Sequence, residues 1–500
     1  MDVLAGFLEE NDRSILAPLW NGCNRKIVII NTTDHRSHGQ FIFDIAPDMA
    51  CNGSQCFRTA SIATYVAIDL PTYLPTGKNM NRLPTLLLLC LLTLSTASLA
   101  APDGGLESGS PQDLGFSAQR LALAHEMLAQ HVEDGRVAGL VAGVARHGKI
   151  VYLESMGWNH IEQDNSMLEN SLFQIRSMSK PITAVAAMQL IEKGKMKLAD
   201  PVSKYIPSFA EMQVFLDPAI ADFTQTRASA REMTIEDLLM NTAGLSHRFG
   251  ALYRANEVRS REDTLEELVE KVAAVPLIGD PGEQWVYSIS LTVLGRVIEL
   301  VSGQEFDDYL DEHVYGPLKM TDTAFYVPDE KAQRLARAYR VSSEDRSLSL
   351  LPQMAIPITE DPPLLEGAAG IVSSVPDYLR FLQALLNGGE LDGQRILQTN
   401  TVESMTQNQI PEALMPFGTN PNNPMLDRGW GYGMAVVVDE TMSAYGTNNG
   451  EFGWSGSLGT FSWADPVSGT SVVIMLQIQP SGAYNIASKF KTMVHQSMID

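Results

Sequence analysis

From Ala101 to its end the chain has no cysteine; the four it contains, Cys23, Cys51, Cys56 and Cys90, all precede that point. Disulfides, a cysteine nucleophile and thiolate metal sites are thereby excluded from the main body. Positive charge is scarce too. Thirty-six Lys and Arg stand against 59 Asp and Glu, a formal net charge of −23, and residues 1–100 (eight acids, seven bases) carry only −1 of it. So acidic a body, with no basic stripe interleaved by aromatics, does not suit a nucleic-acid backbone. The nine histidines are scattered. His125-Glu126 approaches H-E-x-x-H, but Ala129 occupies the second ligand position, so a helix face is expected there and no metal. No cofactor is expected either. Internal repeats and low-complexity tracts are also missing.

What is present is a globular composition, with 45% hydrophobic and 19% charged residues over 500 positions. That length exceeds one ordinary domain and predicts a domain with a large insertion, or two domains. Met80 opens a segment with a positive residue at Arg82, an apolar run from Leu86 to Leu94, and small residues at Ser98 and Ala100. These are the three regions of a secretory signal peptide, with cleavage expected after Ala100. Translation starting at Met80 would fit, and a periplasmic or secreted protein without stable membrane association would follow. The uncharged stretch from Leu83 to Pro102 is also long enough for a membrane anchor. Residues 1–79 show no sustained periodicity and receive no function.

In the main body, residues 118–134 have helical spacing, with Leu121, Ala124, Leu128 and Val132 on one face. Two apolar runs joined near His147-Gly148 predict a hairpin over residues 137–157. An extended piece from Leu172 to Arg176 leads into Ser177, and a buried helix follows, with Ala184, Ala187, Met188 and Ile191 on one stripe and Gly194 as its stop. Residues 205–360 read as mostly helical and loop-rich. Strand patterns return at Gly433–Val438, Gly459–Ala464 and Ser471–Ile478, and a closing helix is expected over Asn485–Met498. Strands at both ends with helices between predict an α+β fold: one sheet from residues 118–204 and 361–500, with a helical domain of residues 205–360 inserted.

Ser177-Met178-Ser179-Lys180 matches S-x-x-K. Positions three apart on a helix share a face, so the Lys180 ammonium can reach the Ser177 hydroxyl. Pro181 fixes the register, because proline is tolerated in a first turn where its missing N–H costs nothing. Ser177 then lies at a helix N-terminus, where free N–H groups and the helix dipole favour a developing oxyanion. Lys180 can lower the pKa of a nearby acid or, when neutral, take the serine proton itself. The four-residue pattern is weak alone, and Ser488-Lys489-Phe490-Lys491 is a second match. That one lies inside the closing amphipathic helix, with no strand before it and no first-turn proline.

The run FQIRSMSKPITAVAAMQLIEKGKMKLADPVSKYIP closely resembles the nucleophile region of serine β-lactamase-like hydrolases. These include class C β-lactamases, D-alanyl-D-alanine carboxypeptidases and family VIII carboxylesterases. MTIEDLLMNTAGL, PGEQWVYSISLTVLGRVIELVSG, GPLKMTDTAF and GAAGIVSSVPDYLRFLQALLNGG follow in the family's order, so the resemblance runs from about Gln119 to the C-terminus. It implies a β-lactamase/DD-peptidase-like fold: an antiparallel sheet flanked by helices, an inserted mostly helical domain, and a site in the cleft between them. Tyr287 falls at the family's Y-x-N position, which implies that it takes the proton of Ser177, its phenolate supported by Lys180. Ile289 stands where many β-lactamases have Asn, which puts recognition of a substrate amide in doubt. Trp454-Ser455-Gly456 aligns with the Lys-Thr-Gly of the β-lactamases and resembles the Trp-Gly-Gly of family VIII esterases. A strand there would bring the Ser457 N–H opposite Ser177 as half of an oxyanion hole, with Trp454 as a flat apolar wall or a core residue.

The combined expectation is an acyl-enzyme on Ser177 and a short-chain carboxylic ester as substrate. A β-lactamase or D-alanyl-D-alanine carboxypeptidase of the same fold is the alternative, and a non-catalytic binding module a second. An α/β-hydrolase is rejected: Gly453-Trp454-Ser455-Gly456-Ser457 fails G-x-S-x-G at its last position, and a strand pattern follows where that fold needs a helix.

Overall fold

The computed structural model describes the backbone of residues 27–33 and 39–45, and residues 105–500 apart from 248–249, 352–357, 417, 419–424, 444–445 and 500. The chain divides into two units, Met1–Ser98 and Leu99–Asp500. In the first, Ile27–Thr33 pairs antiparallel with Gly39–Ile45, a strand pair that no periodicity in residues 1–79 announced. Residues 80–100, read above as a signal peptide or anchor, lie outside the described residues. Among the described residues no helix is long and apolar enough to cross a membrane.

The second unit is built on a nine-stranded sheet. Its main path uses β1 (Glu107–Ser108), β2 (Gly139–Arg146), β3 (Lys149–His160), β4 (Arg428–Trp430), β5 (Ala435–Val437), β6 (Phe452–Ser455), β7 (Phe461–Asp465) and β8 (Thr470–Leu476), in the order β4-β5-β6-β7-β8-β2-β3-β1. All neighbours on this path are antiparallel except β1 with β3. The expected hairpin is β2–β3, turning at His147 and Gly148, both at positive φ. β2 pairs with β8 along the whole of β8, Leu140 opposite Leu476 and Arg146 opposite Thr470, which joins the two ends of the unit in one sheet.

Both faces of the sheet are covered, so its central strands are apolar throughout rather than alternating. On one face Leu140, Ala142 and Val144 of β2 and Val472, Ile474 and Leu476 of β8 pack with α1 (Ala118–Glu133) and the closing helix Ile486–Ser497, through Leu121, Ala124, Leu128, Ile486, Phe490 and Val494. On the other, Val141, Ala145, Val473 and Met475 meet α2 (Ser179–Glu192) and the helix Val375–Leu386. Each such Val, Leu or Ile, fully buried, contributes about 1.5–3 kcal/mol. Gly143 lets that last helix come close: a Cβ there would lie 2.7 Å from Val375 Cγ1 and 2.8 Å from Leu379 Cδ1.

Two expectations are corrected. α2 is not striped: every side chain from Ser179 to Leu190 is buried, because the helix runs through the middle of the molecule. Within residues 205–360 the α-helices described lie between Ile235 and Leu318, and most are short, Ser290–Ser302 being the exception. Beyond them, Tyr339–Val341 pairs with Leu348–Leu350 and runs parallel to Ile478–Gln479, so part of this region is stitched to the C-terminal segment by strands.

Candidate active site

Ser177 lies in one 3-10 turn, Arg176–Met178, that runs directly into α2, with Pro181 as the third residue of the helix. The turn is pinned from several sides. The Ser179 hydroxyl donates to the Arg176 carbonyl (2.7 Å) and accepts the Ile371 N–H (3.2 Å). Tyr378 Oη donates to the Met178 carbonyl at 2.9 Å, and Thr460 Oγ1 to the Ile175 carbonyl at 3.0 Å. Together these hold Arg176 at φ +52°, a left-handed conformation that costs a non-glycine residue about 1–3 kcal/mol and persists only where the surroundings impose it.

Lys180 is 2% exposed. Its ammonium donates to the Ala368 carbonyl at 2.9 Å, reaches Ser177 Oγ at 3.4 Å, and sits 4.4 Å from the centroid of the Tyr287 ring. The lysine therefore meets Tyr287 over the face of the ring, a cation–π contact.

Tyr287 lies on the stretch that enters α3 (Ser290–Ser302). Asn241 anchors that stretch, as the left-handed cap (φ 60°) of the helix Ile235–Met240. Its carbonyl accepts Val286 N–H at 2.8 Å, and its Oδ1 accepts the N–H and hydroxyl of Ser288 at 3.3 and 3.1 Å. The M-T-I-E-D-L-L run now has a physical reading: Thr234 and Asp237 form a capping box, and Arg231 pairs with Asp237 at 2.6 Å. Ile289 is fully buried in the core and presents no polar group.

Trp454, expected as an apolar wall or a core residue, is buried and makes a contact the sequence did not reveal. Its Nε1–H donates to Tyr287 Oη at 2.8 Å. Around this pair an aromatic cluster forms: Trp430 meets Trp454 edge-on at 4.7 Å, Trp285 stacks at 5.9 Å from Tyr287, and His247 stacks on Tyr287, also at 5.9 Å. Ile410, Ala435, Met240, Leu414, Met415 and Met425 complete it. Asn241, His247, Trp285 and Trp430 were all missed by sequence reasoning.

The strand expected to carry Ser457 exists but stops at Ser455. Gly456 spends its N–H on the Thr460 carbonyl (2.8 Å), and Ser457 is an exposed residue of the turn that follows. Gly456 presses on the nucleophile turn: a Cβ there would lie 2.4 Å from the Ile175 carbonyl oxygen. Ser455 and Trp454 also line a cavity of about 190 Å³ with Phe461 and Trp463. The second S-x-x-K match is unlike the first in its partner: Lys491 is as buried as Lys180 but is ion-paired with buried Glu451. Among the described residues no cluster of three or more His, Cys, Asp or Glu could hold a metal ion.

A serine in the turn before a helix, three residues ahead of a buried lysine that is set against a tyrosine, on a two-sided sheet assembled from both ends of the second unit, is the arrangement expected of a β-lactamase-like fold. The Beta-lactamase family profile matches residues 124–491, and the chain belongs to that family. It is 31% identical over 71% of its length, and 90% of the relative's, to protein Rv1367c of Mycobacterium tuberculosis. It is 29% identical to the esterase EstB of Burkholderia gladioli, over 72% of this chain and 92% of that one. Among solved structures it is similar to EstCE1, described as a hydrolase with promiscuous acyltransferase activity, at a TM-score of 0.65 and 26% identity, covering 75% of this chain and 99% of that one.

Proposed function

We propose that the chain is a carboxylesterase that hydrolyses short-chain esters through an acyl-enzyme on Ser177. The observation that carries the reading is Trp454. At the position where β-lactamases keep a lysine for the substrate carboxylate, this chain has an indole whose N–H is committed to Tyr287 at 2.8 Å. A buried carboxylate without a cationic partner costs several kcal/mol, whereas an ester asks only for a nucleophile, a base and an oxyanion hole.

In this mechanism Tyr287, as phenolate, takes the proton from Ser177 Oγ while the oxygen attacks the ester carbonyl. The oxyanion is received by the N–H of Ser177 and by that of Ser457, offered from the turn after β6 and not from the strand itself. Tyr287 returns the proton to the departing alcohol, and water repeats the sequence to release the acid. Lys180 keeps positive charge 3.4 Å from Ser177 Oγ and over the face of the Tyr287 ring, and Trp454 keeps a donor on Tyr287 Oη. Losing a hydrogen bond to a charged group costs about 1.5–3 kcal/mol, so Trp454→Phe is expected to lower kcat roughly ten- to hundredfold. Steady-state kinetics on a folded variant check this, and an unchanged kcat assigns Trp454 to packing alone.

The assignment is tested by kcat/KM for a p-nitrophenyl ester of a short acid against a chromogenic cephalosporin and a D-Ala-D-Ala peptide. The ester is expected to win by orders of magnitude. If either of the others is the better substrate, the chain is a β-lactamase or a carboxypeptidase instead. A second reading, acyl transfer to an alcohol, is supported by the likeness to EstCE1 and by the apolar cluster beside Tyr287. Added alcohol would then divert the acyl group to a new ester.

A further inference from the structure

The Ala368 carbonyl that receives Lys180 belongs to a tight turn, Glu366–Gly370. The N–H groups of Ala369 and Gly370 both donate to the Glu366 carbonyl, at 2.9 and 2.7 Å. Three outside groups fix the turn. Thr183 Oγ1, one helical turn on from Ser179 in α2, donates to the Gly367 carbonyl at 2.7 Å. Thr292 Oγ1 in α3 accepts the Ala368 N–H at 3.3 Å. The third is an ion pair. Arg259, on the loop between the helices Ala251–Ala255 and Leu265–Ala273, grips both carboxylate oxygens of Glu366, with Nε to Oε1 at 2.7 Å. The pair is sequestered, with side chains 18% and 5% exposed.

A buried ion pair is weak evidence for stability, because desolvation offsets much of the attraction. What this one does is geometric. A planar fork on a carboxylate fixes orientation as well as distance, and the residue it fixes opens the turn that aims a carbonyl at Lys180. Gly367 leaves the turn no slack: a Cβ there would lie 2.7 Å from the Leu291 carbonyl oxygen and 3.0 Å from Thr183 Oγ1. We infer that Arg259 and Glu366 are positioning residues, holding the Ala368 carbonyl so that the Lys180 ammonium stays between Ser177 and Tyr287. The inference rests on the reading that Lys180 serves Ser177.

The test uses two independent holds on the turn. Arg259→Met with Glu366→Gln removes both charges at similar volume and leaves no unpaired ion. Thr292→Val removes only the hydroxyl. Both are expected to lower kcat roughly ten- to hundredfold, the scale of a misplaced catalytic group, with KM within about twofold and an altered pH–rate profile. Arg259→Lys, which keeps the charge without the fork, is expected to recover part of the loss. Phosphonate titration of active sites counts folded enzyme, so a fall in kcat that merely tracks the count assigns a structural role and overturns the inference. A wild-type kcat and pH profile in either variant also overturns it. Should the double variant not fold, Thr292→Val decides. If the wild-type protein does not label at Ser177, the underlying reading fails first; if it labels and the variants behave as wild type, only the positioning role is lost.

Discussion

Replacing Ser177 by alanine is expected to remove ester turnover and phosphonate labelling together, with a loss of at least ~10⁴-fold of the kind seen when a catalytic nucleophile is deleted. Its side chain is small and half-buried, so the fold should be untouched. Lys180→Met and Tyr287→Phe each remove one proton-handling group at nearly constant shape, and losses of roughly 10²–10⁴-fold are expected. Neither should abolish folding. Lys180→Met does empty the donor site at the Ala368 carbonyl, so thermal unfolding accompanies its kinetics. A Ser177→Ala enzyme within tenfold of the wild-type rate would end the proposed mechanism.

The second large effect is on stability, at the other S-x-x-K match. Lys491 and Glu451 form an ion pair with side chains 1% and 2% exposed, tying the closing helix to the segment that leads into β6. Breaking such a pair leaves an uncompensated buried charge and costs about 3–5 kcal/mol. Lys491→Met or Glu451→Gln alone should lower the unfolding free energy by that much, while both together recover a substantial part. Burial draws Lys491 down to about 8 from 10.5, against the pull of Glu451. Between those values the unfolded chain binds the proton that the folded chain has released, so this group makes stability rise with pH there. Lys491→Met removes that rise. Denaturant melts between pH 7 and 10 measure both effects, and in each variant the folded fraction should still label at Ser177. A melt unchanged by the single substitutions would contradict the structural role.

The contrast between the two motifs shows what the sequence could carry. Local rules separated them: Pro181 marks a first helical turn, and the Ser488 match lacks both that and a preceding strand. Local rules also located the β2–β3 hairpin, α1 and the closing helix, since periodicity and turn residues lie close together in sequence. The position of Tyr287 came from resemblance, not from pattern, because nothing near it in the chain says that Lys180 will lie under its ring. The same holds for the Trp454 hydrogen bond to Tyr287 and for the contact of Trp285 with Trp430, each of which joins segments more than a hundred residues apart. β4 escaped notice because its three residues, Arg428–Trp430, are too few to show alternation. The stripe assigned to α2 failed for a different reason: a helix enclosed on all sides has no polar face, so its periodicity carries no direction.

A covalent acyl intermediate on Ser177 can be caught by rapid-quench intact-mass spectrometry of the wild-type protein mixed with a p-nitrophenyl ester. The expected result is a transient species heavier by one acyl group, mapped by peptide digestion to the segment containing Ser177 and absent from Ser177→Ala. An adduct on another residue, Ser455 or Ser488 for instance, or steady hydrolysis with no acylated species even under conditions that slow deacylation, would contradict it.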